Sequence, residues 1–353
     1  MLEFSRLGLL SNILIFVAAA IAVWISGAKI TRYANVISEK TGLSQALIGM
    51  LLLGGVTSLP ELAVAVSSAA SGASAMAVNS ILGGVAMQVA VLAVADMLIG
   101  RRALTSVVPD PVVFLQGALK IMLLSLVAAA ILVGDRPVLG IGLWMWLLLM
   151  LVGVSLWILS KARDRHAWEA SGNGSDARKE KERARSLAER DRDKSLRWAL
   201  VCVALAGSTI VVAGFLLSRT GDALAELTGL GESFVGAVFL AVATSLPEIS
   251  TVFTAVRAGL YTMAVSDIFG TNLFDVSFLF AIDAVDGGDA ALQNAGRFSA
   301  FAAVIGITVT AIFMAGLAER RDRTILRMGW DSASVLLVYL GGLVVLYFLR
   351  DGS

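Results

Sequence analysis

The chain has 353 residues, 58% of them hydrophobic and only 16% charged, with a formal net charge of +1 and a mean hydropathy of +0.83. Soluble domains carry about 25% charged residues, so this composition excludes a disordered chain, a nucleic-acid-binding protein and nearly every water-soluble enzyme. A single cysteine, Cys202, and a single histidine, His166, exclude an intrachain disulfide and the usual zinc or redox ligand sets. Carboxylates, hydroxyls, amides and backbone oxygens remain for any chemistry, and no cofactor is expected.

A helix crosses a bilayer with about 20 apolar residues. Ten such stretches follow in order, near 9–28, 46–68, 75–95, 112–134, 138–160, 198–218, 233–255, 262–282, 298–317 and 333–349. The first, with Arg6 before it, has the look of a signal peptide, but its counterpart at 198–218 makes it a span. The expected fold is an all-α integral membrane protein. A first five-helix repeat covers 1–160, a charged loop 161–197, and a second, inverted repeat 198–353.

Between the fifth and sixth spans the 161–197 segment holds 12 Lys/Arg and 8 Asp/Glu. It suits an exposed helix with i,i+4 pairs, and is read here as a solvated linker in preference to a lipid-binding or regulatory element. With this loop in the cytoplasm, 22 Lys/Arg fall inside and 5 outside. That bias places both termini outside, in a bacterial or archaeal plasma membrane. Lys120, within the fourth span, is expected to snorkel to the interface.

The two halves repeat. Residues 41–61, TGLSQALIGMLLLGGVTSLPE, match 228–248, TGLGESFVGAVFLAVATSLPE, at an offset of 187 with 10 of 21 positions identical, and the register runs without a gap to Asp96 and Asp283. Five intervening spans turn the second copy upside down. This is the inverted repeat of secondary carriers, whose sites lie near the midplane where the repeats meet.

The paired TSLPE segments place Glu61 and Glu248 at matched depths. An ionised carboxylate at a helix centre costs about 2.5–3.5 kcal/mol on insertion scales, so two of them require a cation or a proton. Pro60 and Pro247 remove a helical hydrogen bond and free the carbonyls of Val56 and Ala243. Thr57, Ser58, Thr244 and Ser245 add hydroxyls on the same turns. These are hard oxygen donors of the kind that Ca²⁺ or Na⁺ takes, and two carboxylates balance one divalent ion.

A second cluster follows each motif. SDIFGTNLFD carries Thr271 and Asp275 four apart on one helix face, and the first-half segment NSILGGVAMQ places Gly84 and Gln88 opposite them. The site is asymmetric in charge, with three acids and one amide. Asp267, two turns before Asp275, is expected to be peripheral, and Asp96 and Asp283 to be helix-end residues.

Paired TSLPE segments on inverted five-helix repeats resemble the cation/calcium antiporter superfamily, especially its prokaryotic sodium/calcium exchangers. The resemblance covers nearly the whole membrane portion. It implies a site among the second, third, seventh and eighth spans, with Glu61 and Glu248 as central acids for Ca²⁺ and Na⁺. Thr57 and Thr244 would give backbone oxygens, Ser58 and Ser245 hydroxyls, and Thr271 a further hydroxyl. Asp275 would be the acid of the middle site, protonated when Na⁺ fills the others. It also implies exchange of three Na⁺ for one Ca²⁺, with the first and sixth helices sliding across the rest. The chain departs from the family pattern at Gly83-Gly84-Val85, where a hydroxyl is missing, at Gln88, which replaces an asparagine, and at Ser80 and Asp267.

Na⁺-driven and H⁺-driven exchange of Ca²⁺ or another cation both fit these residues. A cation-binding sensor or channel fits less well, because mirrored halves supply a carrier's two access states. No nucleophile–base pair marks an enzyme. The expected partners are inorganic cations and membrane lipid, not nucleic acid, and no residue pattern speaks to oligomeric state. At Gly84 two roles stay open, a lost ion ligand or a close helix contact.

Overall fold

The computed structural model describes residues 4–100, 102–162, 174–228, 241–287, 291–293 and 295–349. Among them, eight helices are long and apolar enough to span a bilayer, and a bent pair makes a ninth. The seventh expected span is described only in its second half, since 229–240 lie outside the described residues.

Helix α1, Leu9–Thr41, and α8, Leu196–Leu227, run 33 and 32 residues, about 50 Å at 1.5 Å per residue. The hydropathy pattern placed their ends near 28 and 218. Both continue because charged side chains such as Lys29 and Arg32 are good helix formers, and α1 meets no breaker before Gly42 at φ +69°. The two helices lie along each other. Ala19, Val23, Ala213 and Leu217 form a small core of their own, while Leu10, Leu14, Leu205 and Val212 face outward, as a lipid-facing surface requires.

Helix α2, Gln45–Thr57, starts at Ser44, whose Oγ accepts from Leu47 N at 3.2 Å. Its middle, Gly49–Gly54, is wound as a π-helix. Helix α3, Leu59–Ala70, departs from α2 at 41°. The bend falls where Pro60 takes the first turn of α3, as a residue without an N–H dictates. Then follow α4, Ser74–Asp96, α5, Val112–Val133, and α6, Leu143–Lys161. In the second half come α9, Leu246–Ala258, α10, Tyr261–Asp286, α11, Gly296–Glu319, and α12, Trp330–Leu349. Helix α10 sits at the centre and touches α2, α3, α4, α5, α6 and α9.

The 187-residue offset persists in details that hydropathy does not reveal. Strands β1, Pro137–Val138, and β2, Ile141–Gly142, form a two-residue hairpin, as do β3, Thr324–Ile325, and β4, Met328–Gly329. Their turns carry positive φ at Leu139 and Gly140 and again at Leu326 and Arg327, the pattern that matches strand twist. The apolar runs at 138–160 and 333–349 therefore yield helices starting at 143 and 330.

The charged loop is not a solvated linker. Helix α7, Gly174–Glu189, docks one face on the bundle. Asp176 makes a two-pronged ion pair with Arg102 at 2.9 and 3.0 Å. Glu180 is buried and accepts from Thr262 N and Oγ1 at 2.8 and 2.9 Å, capping the start of α10. The Ala184 carbonyl accepts from Asn35 at 2.8 Å, and Asp191, beyond the helix, pairs with Arg32 at 2.7 Å, both partners on α1. Positions 176, 180 and 184 share a face at i,i+4 spacing. The outward pair Arg178–Glu182, 2.7 Å apart, is the exposed i,i+4 contact the composition suggested. Arg102 holds the Asp176 carboxyl below its usual range, whereas burial pushes Glu180 up to about 7.

Candidate cation site

Two helices that begin at a proline carry the central acids. Glu61 lies in the first turn of α3 and Glu248 in the first turn of α9, each one residue after a proline. The unpaired N–H groups of a helix start favour a carboxylate there, so the TSLPE order places each acid where the local backbone accommodates it.

Close backbone contact fixes α2 against α10. A Cβ on Gly54 would stand 2.7 Å from Thr271 N, and one on Gly270 would stand 2.5 Å from Met50 Cα. Any larger side chain would push these helices apart. The contact brings Thr57 Oγ1 to 3.5 Å from Thr271 Oγ1. Ser58 Oγ donates back to Gly54 O at 2.7 Å.

Gln88 on α4 ties the acids together. Its Nε2 donates to both oxygens of Glu61 at 3.5 Å and to Asp275 Oδ2 at 3.3 Å. Its Oε1 accepts from Asn272 Nδ2 at 2.6 Å. Ser245 Oγ donates to Glu61 Oε1 at 3.4 Å. A cavity of about 20 Å³ opens beside this network, lined by Glu61, Ser80, Gly84, Thr244 and Ser245 among others; on this measure about 10–15 Å³ holds one water. Glu248 is fully buried, and neither of its oxygens has a hydrogen-bond partner. Oδ1 of Asp275 and of Asp267 are buried without partners as well.

The structure thus brings Glu61, Gln88, Asp275 and Ser245 into one network, with Thr57 against Thr271 and Thr244 on the cavity wall. Ser58 turns to its own helix. Glu248 makes no hydrogen bond to this network, and both of its oxygens are buried. Among the described residues no three acidic, histidine or cysteine side chains converge on one point, so hydroxyl, amide and carbonyl oxygens would have to complete a shell around any ion.

Two expectations are corrected. Asp267 is not peripheral. It is fully buried and accepts from Thr251 Oγ1 at 2.5 Å, because helix α10 is enclosed on all sides and offers no outer face at that depth. Lys120 does not reach the interface. It is fully buried, its Nζ 5.5 Å from the Phe269 ring centroid, since α5 faces α10 and α11 there. Asn272 went unnoticed in the sequence, although it lies next to Thr271 and three residues before Asp275 on the same helix. Gly84 has nothing within 4 Å of a would-be Cβ, so it is not a close helix contact.

Comparison with known proteins agrees with this architecture. The family model described as sodium/calcium exchanger protein matches residues 11–161 and 198–349. The chain belongs to this family. Among the exchangers it resembles is the sodium/calcium exchanger MaX1 of Methanosarcina acetivorans, 25% identical over 147 residues, which cover 42% of this chain and 40% of the relative. Another is the chicken (Gallus gallus) sodium/potassium/calcium exchanger 1, 26% identical over 159 residues, 42% of this chain and 23% of that protein. These matches span less than half the length of the relatives. A solved structure of the sodium-calcium exchanger NCX_Mj shares the fold, with a TM-score of 0.68 at 14% identity over 96% of this chain and 99% of that one. This exchanger-family chain is an integral membrane protein built from two inverted repeats.

Proposed function

We propose that the chain is a secondary active antiporter that exchanges Ca²⁺ for Na⁺ by alternating access. The units are repeats 1–160 and 198–353, with loop 161–197 cytoplasmic and both termini outside. Glu61 and Glu248 carry this reading: they stand at matched helix starts in the membrane interior, and the buried Glu248 oxygens have no protein partner. A buried charge without a partner is strongly unfavourable, and a transported cation relieves it. Asp275 is the third acid, and Thr57, Thr244, Ser58, Ser245, Thr271 and Gln88 supply neutral oxygens. The name of the relatives and the family model point to the same ions. The test is ⁴⁵Ca²⁺ uptake into proteoliposomes under an imposed Na⁺ gradient compared with an imposed H⁺ gradient. Uptake under neither would sink the exchange reading.

H⁺-coupled exchange on the same scaffold is the second reading. It is favoured by Gly84, which brings no hydroxyl to the cavity, and by the Gln88 amide standing between Glu61 and Asp275. Uptake driven by the H⁺ gradient alone would select it.

Orientation is testable at two exposed hairpin tips related by the repeat, Leu139 and Leu326. In a Cys202→Ser background, Leu139→Cys should react with an impermeant thiol reagent in intact cells and Leu326→Cys should not. The reverse result would invert the topology.

A further inference from the structure

The positions that flank the two central acids differ in exposure and in chemistry. On the Glu61 side the cavity runs along α3 and α4, past Val64 and Ser80. On the Glu248 side the residues at the 187-residue offset are Thr251 on α9 and Asp267 on α10. Ala63 and Ser80 are exposed, and Glu61 and Val64 are half-buried. Their repeat mates Ser250, Asp267, Glu248 and Thr251 are all 0% exposed. One mouth is open and the other closed.

Helix α1 seals the closed mouth. Gly27 lies so near α9 that a Cβ there would stand 2.8 Å from Ser250 Cβ. Ser250 Oγ donates to Trp24 O at 2.7 Å, and Thr31 Oγ1 donates to Thr251 O at 3.4 Å. Behind this contact Thr251 Oγ1 donates to Asp267 Oδ2 at 2.5 Å and to Glu248 O at 3.0 Å. Asp267 Oδ1 is buried without a partner. The mate of Gly27 on α8, Gly214, packs instead on Pro60, whose Cβ would lie 2.7 Å from an added one. Pro60 stands three residues before Ala63, the mate of Ser250, so the two long helices cross their partners at registers about one turn apart. The closed mouth faces the end of the bundle that carries α7, since Glu180 caps α10 at Thr262, five residues before Asp267.

We propose that Asp267 is the cation-recruiting carboxylate of this second mouth, exposed when α1 leaves α9, and that it draws divalent cations to the site from the α7 side alone. Alternating access moves one inverted repeat against the other, and the exchanged state gives Thr251 and Asp267 the places that Val64 and Ser80 hold in the open mouth. The first mouth then offers a neutral hydroxyl and the second a charge. A carboxylate in a cleft concentrates cations there, and it attracts a divalent ion twice as strongly as a monovalent one at equal distance. Asp267 is thus a specificity-determining residue of one face, at a position where this chain departs from the family pattern. The inference rests on the antiport reading above and holds whichever monovalent ion couples.

The test uses right-side-out and inverted membrane vesicles, in which the half-saturating Ca²⁺ concentration for ⁴⁵Ca²⁺ uptake is read on each face in turn. Asp267→Asn removes the charge and keeps an acceptor for Thr251. It should raise half-saturation severalfold on the α7 side and leave the other side unchanged. Asp267→Glu should stay near wild type. Ser80→Asp should lower half-saturation on the opposite face, and it decides alone where Asp267→Asn does not fold: no change there overturns the proposal. A merely structural Asp267 would alter the amount of active protein, or both faces together, so an equal shift on the two faces or no shift in Asp267→Asn overturns it as well. Absence of wild-type Ca²⁺ flux under either a Na⁺ or an H⁺ gradient would defeat the antiport reading separately. In that event Asp267→Cys in a Cys202→Ser background decides. Its reaction with an impermeant thiol reagent from the α7 side, slowed by Ca²⁺, supports the second mouth. No reaction from that side, or one that Ca²⁺ leaves unchanged, overturns it.

Discussion

Asp96 and Asp283, 187 residues apart, accept the same pair of backbone hydrogen bonds in mirrored form. Asp96 accepts from Leu104 N at 2.5 Å within its own repeat and from Gly329 N at 2.6 Å in the other. Asp283 accepts from Ala291 N at 2.5 Å and from Gly142 N at 2.6 Å. Leu104 and Ala291 are repeat mates, as are Gly142 and Gly329. Each acid therefore ties the end of its own helix to the hairpin of the opposite repeat, and the two locks share no partner.

Replacing either acid by alanine leaves two N–H groups of the lock without their acceptor, at about 1–3 kcal/mol each when buried. Asp96→Ala and Asp283→Ala should each lower the unfolding temperature of the detergent-solubilised protein. The double variant should lose close to the sum, as independent sites do. The dependence of Ca²⁺ flux on the driving ion should stay as in wild type. An altered ion dependence with unchanged melting would reassign these acids to the ion site.

Glu61→Gln and Glu248→Gln should each reduce Ca²⁺ flux by at least about 100-fold in proteoliposomes, since an under-neutralised divalent ion in a buried site costs several kcal/mol. The two variants should differ in the apo protein. Glu248 makes no side-chain hydrogen bond, so its neutral amide should raise thermal stability in the absence of ions. Glu61 is held by Gln88 and Ser245, and its amide should gain less. Wild-type flux in either variant would remove that acid from the site.

The membrane-spanning helices were legible in the apolar stretches, and the placement of Glu61 and Glu248 at helix starts after a proline was legible because TSLPE combines proline, hydroxyls and an acid in a segment where only apolar residues are otherwise tolerated. Helix α7 was not, because a docked face bearing Asp176, Glu180 and Ala184 has the same i,i+4 spacing of acids as a helix in water. Lys120 was misread for a related reason: a lysine within a span has two resting places, the interface and the bundle interior, and only the packing of α5 against α10 decides. The extra turns of α1 and α8 escaped because hydropathy reports where lipid ends, whereas helix ends are set by residues such as Gly42.

The buried Glu180 makes the docking of α7 pH-dependent. Its carboxyl rises from an ordinary 4.5 to about 7 in the docked state, chiefly through burial. Between those values the docked form holds a proton that the released form has lost, so docking is strongest below pH 4.5, weakens as pH rises, and levels off above about 7. The swing amounts to roughly 3 kcal/mol. Hydrogen–deuterium exchange across 174–189, corrected for intrinsic rates, should show faster opening at pH 8 than at pH 5. Glu180→Gln, which keeps an acceptor for Thr262, should flatten that dependence. A pH-independent helix in wild type would show that Glu180 keeps its charge when docked.

Gly84 and Gln88 mark where this chain parts from its repeat mates Thr271 and Asp275. A Cβ at Gly84 meets nothing within 4 Å, and Gly84 itself lines the cavity beside Glu61 and Ser80. Gly84→Ser therefore adds a hydroxyl without crowding a helix. Gln88→Asn shortens the arm that now spans from Glu61 to Asp275 and accepts from Asn272, freeing carboxylate oxygens that the amide occupies. The double variant should bind Na⁺ more tightly or depend on it more steeply. One added ligand or hydrogen bond is worth on the order of 1 kcal/mol, so the half-saturating Na⁺ concentration for Ca²⁺ exchange should fall severalfold. Gly84→Ser alone should retain Ca²⁺ flux, because the space for the hydroxyl already exists. An unchanged Na⁺ curve with intact Ca²⁺ flux in the double variant would mean that this corner does not hold Na⁺, and would shift the coupling ion to H⁺. Repeating the flux series against pH at constant Na⁺ would then show the dependence that the Na⁺ series lacked.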